Sequence, residues 1–231
     1  MIPLQDDVRS RTFPIMNWLL IGANILVFFF MLSLGKHAKN LVTVFGIVPV
    51  RFLTRFGVFQ LMTLFTAMFL HGGWAHIFSN MLALYIFGDN VEDRMGSGRY
   101  LLFYLLCGIA AAALHIYFNP NSTLPTIGAS GAISGVLGAY LVLYPRARVM
   151  TLIPILFIPW FVDIPAVFYI GGWFFSQLLN GLLSIVGSTQ TLGGIAWWEH
   201  IGGFLCGMLL VRLFTARRYY RQLYTDELRP W

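Results

Sequence analysis

Apolar residues run along this chain in blocks too long for the core of a soluble domain, and polar residues gather between them. A membrane-crossing helix needs about 20 mostly apolar residues. Six blocks are candidates: residues 13–34, 71–90, 100–118, 130–144, 164–186 and 197–214, the fourth of them short. Two connections are apolar as well. Residues 35–70 are rich in Phe, Leu and Val but carry Lys36, Lys39, Arg51 and Arg55, which suits short amphipathic pieces lying in the interface. Residues 146–163 hold Pro154 and Pro159, with Pro165 just beyond, and these prolines break any long helix. The pattern predicts an all-α fold: a polytopic membrane protein, a six-transmembrane-helix bundle, filling one membrane domain over residues 1–231.

Composition agrees with this picture. The chain is 58% hydrophobic and only 10% charged, where soluble domains carry about 25% charged residues. An aromatic content of 16% suits interfacial belts. The first apolar block follows Arg9 and Arg11, and no small-residue cleavage site closes it, so it is expected to remain as an anchor. Cys107 and Cys206 each lie inside an apolar run and read as packing residues rather than a disulfide.

The charges set an orientation. With a cytoplasmic N-terminus, eleven of the fifteen Lys and Arg fall inside: Arg9, Arg11, Arg94, Arg99, Arg146, Arg148, Arg212 and the tail arginines 217, 218, 221 and 229. The positive-inside rule then favours both termini in the cytoplasm, as does the even number of spans. Topology thus accounts for the net charge of +6. The implied partner is the lipid bilayer, not nucleic acid.

In this orientation His71, His76 and Asn80 lie at the outer end of helix two, Ser130 at the outer end of helix four and His200 at the outer end of helix six. Reactive polar groups at membrane depth are expensive and usually functional. His76 and Asn80 are spaced i, i+4 and share a helix face; as a bland alternative they would hydrogen-bond between helices and hold the bundle together. Gly131-x-x-x-Gly135 and His200-x-x-Gly203-x-x-x-Gly207 make small surfaces that let two helices approach closely. That approach is what a serine and a histidine on different helices need if they are to meet. Ser130 sits in the first turn of its helix, where unpaired N–H groups and the positive dipole end would stabilise an oxyanion. His76 and Asn80 could serve as further donors. Ser134, one turn deeper, reads better as back-bonded to its own helix. Glu199 is the one outer acid, and adjacent helical positions point about 100° apart. It should not reach the other nitrogen of His200, so a Ser–His dyad is expected.

Other chemistries fit poorly. No H-E-x-x-H occurs, and three histidines with one outer carboxylate make a poor metal site. No Gly-rich phosphate loop is present, so neither metal nor cofactor is expected. His115 reads as a packing histidine.

These residues resemble the rhomboid intramembrane serine proteases. Gly128-Ala129-Ser130-Gly131 is similar to the family's G-x-S-G motif, which implies that Ser130, not Ser134, is the nucleophile. The resemblance of Glu199-His200-Ile201-Gly202-Gly203 and Gly207 to the helix-six motif implies that His200 is the base. His76-Ile77-Phe78-Ser79-Asn80 resembles the H-x-x-x-N motif of the oxyanion site. Residues 92–98 look like the structural turn after helix two. The resemblance covers about residues 60–215. The chain departs from the family in lacking a Trp-Arg pair in the first loop, and in carrying Glu199 where Ala is common. What the resemblance implies is a serine endopeptidase cleaving single-span transmembrane proteins near the extracytoplasmic side, in a bacterial inner (plasma) membrane. Substrate would enter past a helix five loosened by Gly171, Gly172 and Gly181, and residues 187–196 would cap the site. Two alternatives use the same bundle. A non-catalytic client-binding member should lack Ser or His, and both are present. A transporter should continue polar groups toward the cytoplasm, yet residues 81–87 below Asn80 are apolar apart from Tyr85.

Overall fold

The computed structural model describes residues 1–155, 158–186 and 197–215. It is mostly helical. Strand β1 (Ile2–Asp6) precedes helix α1 (Ile15–Ser33). The long first connection forms short helices α2 (Ala38–Phe45), α3 (Pro49–Thr54) and α4 (Val58–Thr66), as its mixed composition predicts. Then come α5 (Trp74–Ala83), a wide turn at Leu84–Gly88, and α6 (Asp89–Met95), which form one continuous run. Helix two therefore begins later than expected, and His71 lies in the bend before it. The α4 segment meets this run at 84°. Helices α7 (Ser97–Phe118) and α8 (Ser130–Leu143), strands β2 (Arg148–Ile155) and β3 (Ile158–Pro165), and helices α9 (Ala166–Val186) and α10 (Trp197–Phe214) complete the order. Among the described residues, α1, α7 and α9 are long and apolar enough to cross a membrane, and the bent α4–α6 pair makes a fourth candidate.

The all-α expectation is corrected by a three-stranded antiparallel sheet of order β1-β2-β3. The connection whose prolines break any long helix is a hairpin in which Leu152 faces Phe161, Ile153 faces Trp160 and Pro154 faces Pro159. β-branched and aromatic residues suit a pleated surface. The prolines forbid a helix but are tolerated near strand ends and on edges. β1 pairs with β2 from Ile2↔Leu152 to Asp6↔Val149.

Helix α8 is the axis of the bundle, with residues 131–140 all buried. Its small residues allow backbone contact with α10. A Cβ added to Gly203 would sit 1.9 Å from the Gly131 carbonyl oxygen, and one added to Gly207 would sit 2.0 Å from that of Gly135. Only glycine fits at either place. Cys107 and Cys206 are both free thiols.

The Glu92–Gly98 turn ties α1 to the rest. The Glu92 carboxylate accepts the backbone N–H groups of Met16 (3.0 Å) and Asn17 (2.7 Å) and the Ser97 hydroxyl (2.5 Å). Asp93 accepts both the N–H and the hydroxyl of Thr12. Carboxylates at a helix N-terminus satisfy its orphan donors and meet its positive dipole end. The Asn17 side chain spans to the Leu84 carbonyl (2.9 Å) and the Tyr100 hydroxyl (2.9 Å).

Candidate active site

Ser130 opens α8, and His200 lies in the first turn of α10. The glycine contacts between these helices hold them close enough for Ser130 Oγ to stand 2.9 Å from His200 Nε2. Both residues are only partly buried. Ser134 donates its hydroxyl to the Ser130 carbonyl at 2.6 Å, the expected back-bond. Two serines in one short glycine-rich stretch thus face different partners.

The other ring nitrogen of His200 meets a residue the sequence reading passed over. Its Nδ1 lies 2.7 Å from Gln177 Oε1, on α9. The amide orientation is fixed by its other end: Gln177 Nε2 donates to Ser176 Oγ (3.0 Å) and the Trp173 carbonyl (3.3 Å). Oε1 can only accept, so His200 must carry its proton on Nδ1 and present a lone pair at Nε2. That tautomer accepts the Ser130 O–H. Gln177 is buried, and a buried polar side chain in an apolar span was the available signal. Which way α9 turns Gln177 is a packing outcome that spacing alone does not give.

Among the described residues the ring nitrogens of His200 bond Gln177 and Ser130, not Glu199. Glu199 is buried between helices, its Cγ 2.8 Å from where a Cβ on Gly131 would stand, and its Oε2 has no hydrogen-bond partner among the described residues.

His76 and Asn80 occupy the same face of α5 but have different neighbours. His76 Nδ1 accepts the Gly72 N–H at 3.4 Å, which leaves Nε2 as the N–H side. That Nε2 and Ser130 Oγ lie 2.6 and 3.5 Å from one point, the position a Cβ on Gly128 would take. Gly128 has φ +129° and donates its N–H to the Ala67 carbonyl at 2.9 Å. The left-handed backbone and the space below it both require glycine here. Asn80 Nδ2 lies 2.9 Å from His71 Nε2, and one N–H of the amide remains for another acceptor. His71 is buried and its ring packs edge-on against His76, with centroids 5.0 Å apart. His115 stands apart, its Nε2 2.9 Å from Thr126 Oγ1. No group of three or more His, Cys, Asp or Glu suited to a metal ion occurs among the described residues. The capping role expected of residues 187–196, and the tail arginines 217, 218, 221 and 229, lie outside the described residues.

Comparison with known proteins adds the lineage. The family model of the Rhomboid domain matches residues 58–217. Rhomboid protease GluP of Bacillus subtilis is 37% identical over 129 residues, covering 55% of this chain and 24% of that protein. Rhomboid protein 1, mitochondrial, of Saccharomyces cerevisiae is 27% identical over 195 residues, covering 75% of this chain and 53% of that protein. Rhomboid-like protein 11, chloroplastic, of Arabidopsis thaliana is 32% identical over 150 residues, covering 65% and 51%. The chain therefore spans between about a quarter and about half of the length of these relatives. With the domain match covering well over half of its residues, the chain belongs to the rhomboid family.

Proposed function

We propose that this chain is an intramembrane serine endopeptidase that cleaves single-span transmembrane proteins with Ser130 as nucleophile and His200 as general base. The observation that carries this reading is the 2.9 Å contact between Ser130 Oγ and His200 Nε2 across two helices. The relative named Rhomboid protease GluP supports it.

In the proposed mechanism Ser130 Oγ attacks the scissile carbonyl carbon while its proton passes to His200 Nε2. The imidazolium formed is held through Nδ1–H by Gln177, which acts as a positioning residue. The tetrahedral oxyanion would meet the Ser130 backbone N–H, His76 Nε2–H and the remaining N–H of Asn80, and preorganised donors of this kind lower the barrier to acyl transfer. His200 then gives its proton to the departing amine. Water then attacks the acyl carbon, giving a proton to the same nitrogen, and the bond to Ser130 Oγ breaks as His200 returns that proton to Oγ. None of these steps calls on a metal or a cofactor.

The finer topology belongs to the same proposal. The six spans are α1, the α5–α6 run, α7, α8, α9 and α10, with both termini cytoplasmic and residues 1–231 forming one domain. Helix α8 is 14 residues long, which at 1.5 Å per residue is about 21 Å. This falls short of the roughly 30 Å hydrocarbon core and puts Ser130 below the outer surface rather than at it. The proposed setting is a bacterial inner membrane, supported by the Bacillus relative; other relatives bear mitochondrial and chloroplastic names.

The test is cleavage of a single-span reporter in liposomes by the wild type, Ser130→Ala, Ser134→Ala and His200→Ala. Loss with the first and third but not the second variant is the expected result. Activity surviving Ser130→Ala would refute the assignment.

A further inference from the structure

The β2–β3 hairpin lacks the polar face that a water-exposed sheet needs. Strands alternate their side chains between two faces, so Ile158, Trp160 and Val162 point one way and Pro159 and Phe161 the other. All five are exposed, with Ile158 at 60%, Trp160 at 55% and Phe161 at 60%. Apolar partners face them on β2 outside the base, with Leu152 opposite Phe161 and Ile153 opposite Trp160, and Thr151 lies opposite Val162. Polar side chains stay near the base, where Thr151 is buried and Asp163 faces Met150. In water such a hairpin would be an aggregation-prone edge.

Three observations say what covers it. β3 ends at Pro165 and α9 starts at Ala166, so the hairpin is continuous with a span whose outer face exposes Phe168, Phe175, Leu182 and Leu183. Arg146 and Arg148, both exposed, flank the base of β2, where anionic headgroups would meet them. β3 is an edge strand, since the sheet order is β1-β2-β3. Among the described residues its outward N–H and C=O groups have no strand to bond, and such an edge is not tolerated in hydrocarbon. Headgroups and interfacial water can satisfy those groups, and Trp is favoured at that depth.

We propose that the β2–β3 hairpin is a lipid-binding element that lies in the headgroup–acyl boundary of the leaflet where α9 enters, with its apolar residues on both faces solvated by lipid. The hairpin then sets the depth of the first turn of α9 through the bilayer rather than through protein packing. This inference rests on the chain being embedded in a membrane and is independent of the protease chemistry.

The experiment uses the full chain in phosphatidylcholine–phosphatidylglycerol liposomes, with Cys107 and Cys206 replaced by alanine. A nitroxide is attached in turn to Trp160→Cys, Phe161→Cys, Gln5→Cys and Phe175→Cys. Collision with oxygen, which partitions into lipid, is compared with collision with a water-soluble nickel chelate. The expected result is an oxygen-to-nickel ratio several-fold higher at 160 and 161 than at Gln5, on both faces of the strand. A ratio at 160 and 161 equal to that at Gln5 would overturn the proposal, placing the hairpin in water. Low collision with both reagents would overturn it in favour of a protein contact, such as a second copy. The label at 175 separates the two readings: a lipid signature there with an aqueous one at 161 refutes the hairpin alone, and an aqueous signature at both refutes the membrane placement of α9. A Trp160→Asp variant is read in parallel without any label. It should keep its helical circular dichroism in detergent yet show lower protease protection of the hairpin in liposomes.

Discussion

Replacing Gln177 isolates the hydrogen bond that distinguishes this site from a bare serine–histidine pair. Gln177→Met keeps the length and apolar bulk of the side chain but removes the acceptor 2.7 Å from His200 Nδ1. In the proposed mechanism His200 becomes an imidazolium during attack, and a hydrogen bond to a charged group contributes about 1.5–3 kcal/mol. At roughly 1.4 kcal/mol per tenfold change in rate, losing it slows the chemical step about ten- to a hundredfold. The ground-state tautomer is also released, so part of the protein would hold its His200 proton on Nε2, facing Ser130. Gln177→Glu keeps an acceptor oxygen at the same reach and should recover most of the rate. The assay is single-turnover cleavage of a transmembrane reporter in liposomes, with saturating and limiting substrate compared, because a positioning defect lowers kcat and leaves KM nearly unchanged. Gln177→Met within twofold of wild type would refute the reasoning. Equal losses in Gln177→Met and Gln177→Glu, carried by KM, would assign Gln177 to the packing of α9 instead.

Two further outcomes concern the framework. Glu92→Ala should cost about 3 kcal/mol, because the N–H groups of Met16 and Asn17 and the Ser97 hydroxyl lose a buried charged acceptor together; denaturation in mild detergent measures it, and a change under 0.5 kcal/mol would show that the turn does not hold α1. Asp6 accepts hydrogen bonds from Tyr140 and from Asn90 (2.9 Å), and burial, with the charges of Asp89 and Asp7 adding to it against the opposing Tyr140 bond, pushes its carboxyl up from 3.8 to about 6. The folded state thus binds the proton more tightly than the unfolded state, so the Asp6 contribution is most favourable below about pH 4 and is lost as pH rises to about 6. Asp6 is only partly buried, and after discounting for screening the loss is about 1 kcal/mol. The stability difference between wild type and Asp6→Asn should therefore shift in favour of the variant from pH 4 to pH 7, and a difference flat across that range would refute the argument.

The helices were legible because burial in lipid demands long apolar blocks, and α7 and α10 fall close to where the blocks predict them. The Ser130–His200 encounter was legible for a related reason. Gly203 and Gly207 are small at helical spacing, and contact with the Gly131 and Gly135 carbonyls needs just that. The sheet was not legible. Alternation is the signature of a strand with one wet face, and residues 158–162 are apolar on both, so they read as a proline-broken apolar loop. β1 has five residues and becomes a strand because β2 offers it an edge. The apolar block opens at His71, but helix two begins at Trp74, and His71 supports Asn80 from the bend instead.

The site joins contacts of unequal firmness. Ser130 and His200 stand on helices whose backbones touch at glycines, so neither can shift without moving the core of the bundle. Gln177 stands on α9, where Gly171 and Gly172 have open space at their Cβ positions and much of the surface faces outward. Packing of that kind transmits little restoring force compared with an interlocked backbone contact. A displacement of α9 should therefore break the Gln177–His200 bond before it disturbs the Ser130–His200 distance. Ser130 would keep its place while His200 loses its fixed tautomer. A crosslink holding α9 against α10 should then leave cleavage of a short water-soluble peptide unchanged, with Gln177 still effective. If that crosslink instead abolished peptide cleavage, the serine–histidine pair itself would depend on α9, and the separation of rigid pair from movable support would fail.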